Sequence, residues 1–333
     1  MTKTKAFTFF LIKATLQSNN ATSGMRNALL FVLIFSFSAG LSQQKLLCVT
    51  IDDLPTVAYG INTDEHKYLI TSSLVNTLVK YDVQAIGFVN ESKLYHEDTL
   101  SGFEIELLRY WLDHDQELGN HTFSHHNYHR VSFEEYTEDI LMGEKLTRPL
   151  VESYRQKLTY FRHPYLRIGR DAAHADSLSR FLRELNYVEA PVTIDNADYL
   201  FALAYSRAFR QVDTAMMDSI GTVFVSYMEA KLDYFEQQSV RLFDRKIDQI
   251  LLLHANLLNA HYLDELLAMY KKHGYDFGSV SKVLQDPAYD SPVTAYGNYG
   301  ISWIDRWALS QGKNGNFFAG DPEVPTFINN YLE

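Results

Sequence analysis

The sequence predicts an α/β fold, and three observations support this prediction. Short apolar runs typical of buried strands alternate with segments whose apolar residues repeat at helical spacing. About seven such units occur, which favours parallel strands closed into a barrel rather than an open sheet. Polar residues of chemical interest follow the ends of several strands, and this is the end at which an α/β barrel carries its active site.

Each predicted strand is a short apolar run, and each predicted helix has a periodic apolar face. In the first helix this face consists of Leu69, Ile70, Leu74, Leu78 and Val79. The predicted strands are 46–51, 85–89, 117–120, 159–162, 188–194, 250–254 and 277–280. The predicted helices are 66–81, 101–114, 132–156 (as one helix or two), 171–186, 199–241 and 259–273.

Residues 1–42 have the features of a leader followed by a secretory signal peptide. A basic start at Met25 and Arg26 precedes an apolar run over 28–37 and small residues up to Ser42, where we expect cleavage. The run is shorter than the roughly 20 residues of a transmembrane helix, although an uncleaved anchor is the alternative. We therefore expect a bacterial protein that starts at Met25, is exported to the periplasm or the medium, and keeps no stable membrane span.

Composition and charge exclude several classes of protein. The 46% hydrophobic and 21% charged residues exclude a disordered chain, and a single cysteine, Cys48, excludes a disulfide scaffold. Removing residues 1–42 and their four basic side chains changes the formal charge from −11 to −15. This charge gives no reason to expect a nucleic-acid partner.

Asp52 and Asp53 end the first predicted strand. Burying two adjacent carboxylates is costly unless a cation compensates them, so the pair indicates a site. The alternative is a solvated helix cap. Neither interpretation can be chosen from this pair alone.

Histidines cluster after the strand at 117–120. His121 and His125 have i, i+4 spacing, which places both rings on one face of a helical turn, where they can bind one metal ion. Two histidines and a carboxylate make an open catalytic site. The alternative is a surface histidine patch, to which His126 and His129 are candidates.

Three further polar motifs follow predicted strands. Arg162 and Tyr165 follow the fourth strand, Asp195 and Asp198 the fifth, and His254 the sixth. An arginine in this place could hold a buried carboxylate ionised, or it could form a structural ion pair. Taken alone, a histidine at the end of an apolar strand is more simply explained as a satisfied core residue.

The order of these motifs resembles the polysaccharide deacetylase family, the NodB-homology domain of carbohydrate esterase family 4. The sequence of DD, HxxxH, RxPY, DxxD followed by an aromatic residue, and LLH carries the resemblance over roughly residues 46–284. The resemblance implies a distorted (β/α)7-type barrel that hydrolyses N-acetyl or O-acetyl groups of a glycan or amino sugar. It also implies a divalent metal, with Zn²⁺ expected and Co²⁺ or Ni²⁺ as alternatives.

The resemblance assigns a role to each motif residue. The implied metal ligands are Asp53, His121 and His125. The other implied roles are Asp52 as general base, His254 as general acid, Arg162 as the partner of Asp52, Asp198 as the residue that orients His254, and the Tyr165 N–H as an oxyanion donor. Asp195 could share either supporting role, and the sequence does not decide whether Asp195 or Asp198 orients His254.

The sequence departs from the family pattern in ways that leave the substrate open. Leu54 and Pro55 stand where a glycine is usual, and Tyr199 stands where tryptophan is usual. We expect a catalytic barrel over 43–285, with a helical insertion at 199–249 near the site, and an irregular extension over 286–333 that packs on the barrel. The aromatic residues of the insertion are expected in a helix core, with a lid over the site as the alternative.

An acetylated glycan or amino sugar is therefore the expected partner, and the oligomeric state stays open. Two other functions compete with deacetylation. One is hydrolysis of another small amide or ester on the same barrel. The other is a carbohydrate-binding pseudoenzyme, which would require the loss of a ligand or a base.

Overall fold

The computed structural model describes residues 45–333, so the predicted leader, the signal peptide and the start at Met25 lie outside the described residues. The strands are β1 (Lys45–Val57), β2 (Ile86–Val89), β3 (Tyr95–His96), β4 (Thr99–Leu100), β5 (Glu117–Asn120), β6 (Tyr160–Phe161), β7 (Val188–Glu189), β8 (Gln249–Asn256) and β9 (Tyr275–Phe277). The α-helices are α1 (Asp64–Lys80), α2 (Gly102–Asp113), α3 (Phe133–Met142), α4 (Thr147–Ser153), α5 (Ala172–Glu184), α6 (Asp198–Arg210), α7 (Thr214–Phe243), α8 (Leu257–Lys272), α9 (Val280–Val283), α10 (Trp303–Ser310) and α11 (Thr326–Leu332).

Seven strands form one parallel, curled sheet in the order β7-β6-β5-β2-β1-β8, with β9 also paired to β1. The remaining strands, β3 and β4, form a separate hairpin. A bridge between Ile194 and Leu251 joins the segment after β7 to β8, which brings the two ends of the strand order together. The predicted fold class, a distorted (β/α)7-type barrel, is confirmed.

Helix starts are fixed by polar side chains that accept a hydrogen bond from the first turn. The capping oxygens of Thr63, Ser132, Asp171 and Asn256 each accept the backbone N–H three residues ahead, which satisfies a donor that has no partner inside the helix. These caps fix the residues at which α1, α3, α5 and α8 begin.

The sequence prediction was wrong in the last strand. The predicted strand at 277–280 ends at Phe277, and Val280 begins α9. The Ser279 carbonyl already accepts the N–H groups of Lys282 and Val283, so the backbone there is helical. The predicted strand at 188–194 keeps regular pairing only at Val188–Glu189 and then joins β8 through the single bridge at Ile194.

Two other predictions needed correction. The long helix at 199–241 is two helices, α6 and α7, because the chain turns at Val212 with φ = +58°. The extension over 286–333 is not irregular throughout, since it contains α10 and α11. The N–H of Trp303 at the start of α10 donates to the carbonyl of Val192, 2.7 Å away, beside the barrel.

The aromatic residues of the insertion form core rather than a lid. Phe201, Phe224 and Phe235 are at most 1% exposed, and Trp307 of the extension is equally buried. Such rings contribute the largest apolar area to a core. Within residues 45–333, none of the helices combines the length and apolar character needed to cross a bilayer.

Gly119 lies in β5 at a point where side chains and backbone of the neighbouring strands pack closely. A Cβ at this position would lie 2.5 Å from the Phe88 ring and 3.0 Å from the Tyr160 carbonyl oxygen. Phe88 is fully buried, so neither neighbour can move freely. We expect Gly119→Ala to lower the free energy of unfolding by about 1–3 kcal/mol, measured by urea denaturation. Gly102→Ala is the control, because nothing lies within 4 Å of a Cβ there; equal stability of the two variants would contradict this packing.

Candidate metal centre

The candidate site lies where the parallel strands end, in a cavity of about 780 Å³. Asp52 and Asp53 lie within β1 and His254 within β8, while the other predicted groups follow β5, β6 and β7. Seven residues with a predicted chemical role line this cavity, as does Tyr199: Asp52, Asp53, His121, His125, Tyr165, Asp195 and His254. Arg162 and Asp198 lie behind them and are fully buried. Parallel pairing explains the convergence, because all these strands end on one side of the sheet.

Asp53, His121 and His125 form a compact group of possible metal ligands. One ligand atom from each lies within 4.8 Å of the others. Oδ1 of Asp53 is 3.7 Å from Nε2 of His121 and 3.6 Å from Nε2 of His125. These distances are too long for hydrogen bonds, and this buried Oδ1 has no hydrogen-bond partner. Two imidazoles and a carboxylate are a common donor set for Zn²⁺, so these residues fit a divalent ion.

The charge states of the three groups also suit a metal. Burial lowers the pKa of His121 well below its usual value, and burial likewise lowers that of His125, so both rings are neutral at pH 7. For Asp53 burial acts in the opposite direction, but Lys93 and His125 outweigh it and lower the pKa of the carboxyl. Neutral imidazoles and an ionised carboxylate are the forms that bind metal.

The two histidines meet on a loop and not on the helical turn that their spacing predicts. Thr122 and His125 both have positive φ, +65° and +56°, which no helix contains. The side chain of Asn120 holds the loop, because its Oδ1 accepts the Thr122 N–H at 2.7 Å and its Nδ2 donates to the Ile140 carbonyl. Such conformations cost energy in residues other than glycine, and the surrounding hydrogen bonds maintain them.

A backbone carbonyl orients the ring of His121. Nδ1 of His121 lies 2.8 Å from the Arg162 carbonyl oxygen, an acceptor, so Nδ1 carries the proton. Nε2 is then left with a lone pair that faces Asp53. This arrangement is the usual support of a metal-binding histidine.

Asp52 is buried beside the possible ligands. Burial raises the pKa of its carboxyl to about 6, although Arg162 and His254 oppose the rise. Nε of Arg162 is 4.0 Å from Oδ1 of Asp52, an ion pair without a hydrogen bond. The guanidinium is instead anchored by its bond of 2.9 Å to Oγ1 of Thr50.

His254 is held by Asp198, while no hydrogen bond joins His254 to Asp195. Nδ1 of His254 is 2.7 Å from Oδ1 of Asp198, and the His254 backbone N–H donates to Oδ2 of the same carboxylate at 2.9 Å. Burial opposes protonation, but Asp198 prevails and raises the pKa of His254 to about 9. Asn259 also donates to Asp198, at 2.6 Å. The geometry therefore identifies Asp198, and not Asp195, as the hydrogen-bond partner of His254.

Tyr165 stands in a strained loop at the cavity mouth. It and Leu166 have φ of +57° and +52°, and the ring of Tyr165 is 55% exposed and 4.5 Å from the His125 ring. Gly300 of the extension lies so close that a Cβ there would be 1.8 Å from the Tyr165 carbonyl oxygen. The extension therefore shapes the loop that borders the site.

Lys93 also belongs to this site, although no sequence motif contains it. Its Nζ donates to the Asp53 carbonyl at 2.7 Å and lies 3.9 Å from Oδ2 of the same residue. Burial lowers the pKa of this ammonium group, although Asp53 opposes the shift. Lys93 lies 40 residues from Asp53 in the chain and belongs to none of the polar motifs, so no sequence pattern indicated it.

Comparisons with known proteins agree with the motifs. Residues 40–180 match the family described as polysaccharide deacetylase. The peptidoglycan deacetylase PdaC from Bacillus subtilis is 20% identical, with a TM-score of 0.44 over 73% of this chain and 91% of that chain. A family 4 carbohydrate esterase from Bacillus anthracis is 16% identical, with a TM-score of 0.44 over 73% of this chain and 83% of that chain. The wild-type BA3943 pseudoenzyme of that family, from the same organism, is 18% identical, with a TM-score of 0.41 over 73% of this chain and 66% of that chain.

No curated protein sequence matches the chain significantly. The family match covers the first three motifs, from the aspartate pair to the segment that contains Arg162 and Tyr165. Residues 40–180 of this chain are thus similar to the polysaccharide deacetylase family.

Proposed function

We propose that this protein is a metal-dependent hydrolase that removes acetyl groups, N-linked or O-linked, from a glycan or amino sugar. One observation carries the proposal. The possible ligands Asp53, His121 and His125 share a cavity with a buried carboxylate, Asp52, and with His254, a histidine paired with a buried aspartate. Ligands, base and acid are thereby present in one cavity.

The metal would be held by Asp53, His121 and His125, and we propose Zn²⁺ because the donors are two nitrogens and one oxygen. When bound, such an ion polarises an acyl carbonyl and makes water more acidic. Co²⁺ and Ni²⁺ accept similar donors and are the alternatives.

Asp52 is the proposed general base. Its pKa of about 6 leaves it ionised at neutral pH, yet basic enough to take a proton from the attacking water. Oδ2 of Asp52 lies 3.8 Å from Nε2 of His121, so the base is beside the ligand group. Arg162 stabilises the ionised form from the other side.

His254 is the proposed general acid. Its pKa of about 9 keeps the ring protonated at neutral pH, and Nδ1 is engaged by Asp198, so Nε2 is the nitrogen that can donate to the departing amine or alcohol. Asp52 and His254 come from β1 and β8, which are adjacent strands with these two residues in register. The base and the acid therefore lie side by side at the cavity floor.

The backbone N–H of Tyr165 is the proposed donor to the oxyanion of the tetrahedral intermediate. Its loop borders the ligand group, as the contact between the Tyr165 and His125 rings shows. A fixed N–H aimed at developing negative charge is an effective source of transition-state stabilisation. Tyr165 is among the residues that line the cavity.

We also propose the wider organisation of the protein from its sequence. Residues 43–285 would form the catalytic unit and 286–333 an extension that packs on it, while residues 1–42 would direct export from a bacterial cell and be removed. A small-amide or ester hydrolase and a carbohydrate-binding pseudoenzyme are the competing functions. Release of acetate from an acetylated glycan or amino sugar would favour the proposed function over these two competitors.

The first prediction concerns the general base. Asp52→Asn should lower kcat for acetate release from acetylated chitooligosaccharides by about 10²–10⁴-fold, because the amide cannot accept the proton. Metal analysis of the same variant should still find about one divalent ion per chain. His121→Ala is the matched comparison and should lose the ion. Acetate release at the original rate by Asp52→Asn would exclude Asp52 as the base, and no release by the metal-loaded wild type from any acetylated glycan would overturn the function.

The second prediction concerns pH. Since the ionised form of Asp52 and the acid form of His254 are both required, kcat/KM should be maintained between their pKa values of about 6 and about 9 and fall as the pH rises through the higher value. Asp198→Asn removes the charge that favours the protonated ring, so the alkaline limb should move to lower pH. Asp195→Asn is the control, because Asp195 also lines the cavity but makes no hydrogen bond to His254. An alkaline limb that moves equally in both variants would contradict this pairing.

The third prediction concerns the support of the histidine loop. Gly143, directly after α3, faces this loop, and a Cβ there would lie 2.5 Å from the Thr122 carbonyl carbon and 2.8 Å from the Phe123 nitrogen. Backbone atoms cannot rotate away, so Gly143→Ala should displace the loop between the two histidines. We expect Zn²⁺ affinity, measured by competition with a fluorescent chelator, to fall about tenfold or more. Gly102→Ala should not change it; unchanged affinity in Gly143→Ala would show that the loop does not depend on this contact.

A further inference from the structure

Two arginines border the candidate site without an acidic partner. Arg130 and Arg167 line the same cavity as Asp53 and His254. Within residues 45–333, no carboxylate lies within ion-pair distance of either guanidinium, although acidic residues outnumber basic ones by 41 to 30 in the chain. These two positive charges are therefore available to a molecule in the cavity.

Arg167 is held in place by a neutral amide. Its Nη1 donates to Oδ1 of Asn298, 2.6 Å away in the C-terminal extension. Nδ1 of His129 lies 3.3 Å from the same Oδ1 and 3.1 Å from the same Nη1, but these two nitrogens are not hydrogen-bonded to each other. One end of the guanidinium is thus fixed, and the remaining N–H donors are left for another acceptor.

His129 does not neutralise or share this charge. Its Nε2 accepts the backbone N–H of Gly169 at 3.1 Å, so in the neutral ring Nδ1 carries the proton and donates to Asn298. Burial lowers the pKa of His129 to about 4, which keeps the ring neutral at pH 7. The buried His129, which the sequence suggested for a surface patch, therefore acts as a brace between the turn that carries Arg130 and the loop that carries Arg167.

We propose that the substrate carries an anionic group, a carboxylate or a phosphate, which Arg130 and Arg167 bind while the acetyl group faces Asp53 and the two histidines. This inference rests on the proposed function and narrows its substrate class to acidic acetylated sugars. A guanidinium matches both anions because its planar donors form paired, charge-assisted hydrogen bonds. Tyr165 and Tyr199, each at least half exposed at the same cavity, offer aromatic surface to the sugar ring.

A purely structural role for the arginines is the competing explanation. Arg167 does link its loop to Asn298, so its loss alone could disturb the extension. Arg130 has no such link: it is exposed, and no hydrogen bond from its side chain to another described residue is observed. Loss of anion binding in both variants would consequently point to charge rather than to folding.

The test is equilibrium binding to the metal-loaded Asp52→Asn protein, which keeps the cavity but is not expected to consume its ligand. The probes are N-acetylglucosamine, its 6-phosphate, its uronic acid and its 3-O-carboxyalkyl ether, measured by calorimetry at low salt. We expect at least one anionic probe to bind about tenfold or more tightly than the neutral sugar, with the advantage reduced by added salt. The three anions distinguish phosphate from carboxylate and one position on the ring from another.

Arg130→Gln and Arg167→Gln, each made in this background, should remove about tenfold of the affinity for the preferred anion and leave the neutral sugar within about twofold. Arg170→Gln is the matched control, since Arg170 is an exposed arginine of the same segment that does not line the cavity. Thermal unfolding of each variant checks that the fold is retained.

The inference is overturned if none of the anionic probes binds better than the neutral sugar, or if the arginine variants weaken all sugars equally. Either result leaves the proposed function standing as long as the wild-type enzyme releases acetate from a neutral sugar. Failure of the proposed function has a different signature, which is the absence of acetate release from every acetylated sugar despite bound metal.

Discussion

The structure depends on how two adjacent carboxylates are kept inside β1, where Asp52 is buried and Asp53 half-buried. Asp52 and Asp53 repel each other, and burial adds a penalty for each charge. The compensation comes from three directions in the fold: Arg162 after β6, His254 at the end of β8 and Lys93 after β2. None of these cations forms a close, fully satisfied ion pair with its aspartate, and a divalent ion on Asp53 would supply the missing charge. A site built in this way is expected to be stabilised by the metal that it binds.

Asp52 and Asp53 are offset to different degrees by nearby positive charges, so their carboxyl groups differ in pKa. Asp53 faces Lys93 and the histidines, so its pKa is lowered and it stays an anionic ligand. Asp52 points towards buried Arg162 at 4.0 Å, a distance that only partly offsets burial, and its pKa is raised to about 6. Asp53 has φ of +70°, outside the extended range of a strand, and both carboxylates lie beside Nε2 of His121, at 3.8 Å from Asp52 and 3.7 Å from Asp53. The dipeptide therefore suits the proposed roles of a ligand and a base, because environments that separate two pKa values are a common basis for such a division of roles.

The parts of this site that follow strands could be predicted from the sequence. Parallel strands end at the same edge of a sheet, so motifs that follow different strands lie close together. Sequence reasoning placed Asp52, His121 and His254 at strand ends, and the fold class followed from the same alternation. It could not foresee the loop geometry: the spacing of His121 and His125 also fits a helix, and only the hydrogen bonds of Asn120 select the loop. Single residues outside any pattern, such as Lys93, were equally hidden, because their relation to the site arises from tertiary packing and not from local periodicity.

The candidate site extends well beyond the part of the chain that matches the family. Residues 40–180 contain the proposed ligands and base, but His254 and its partner Asp198 come later in the chain. The insertion supports this second half, since the Tyr227 hydroxyl accepts the N–H of Ala197, directly before Asp198. The extension reaches the first half through Asn298, which holds Arg167. If the proposed roles hold, changes in the insertion would act on proton transfer and changes in the extension on the binding of substrate, so the two additions could alter rate and specificity separately.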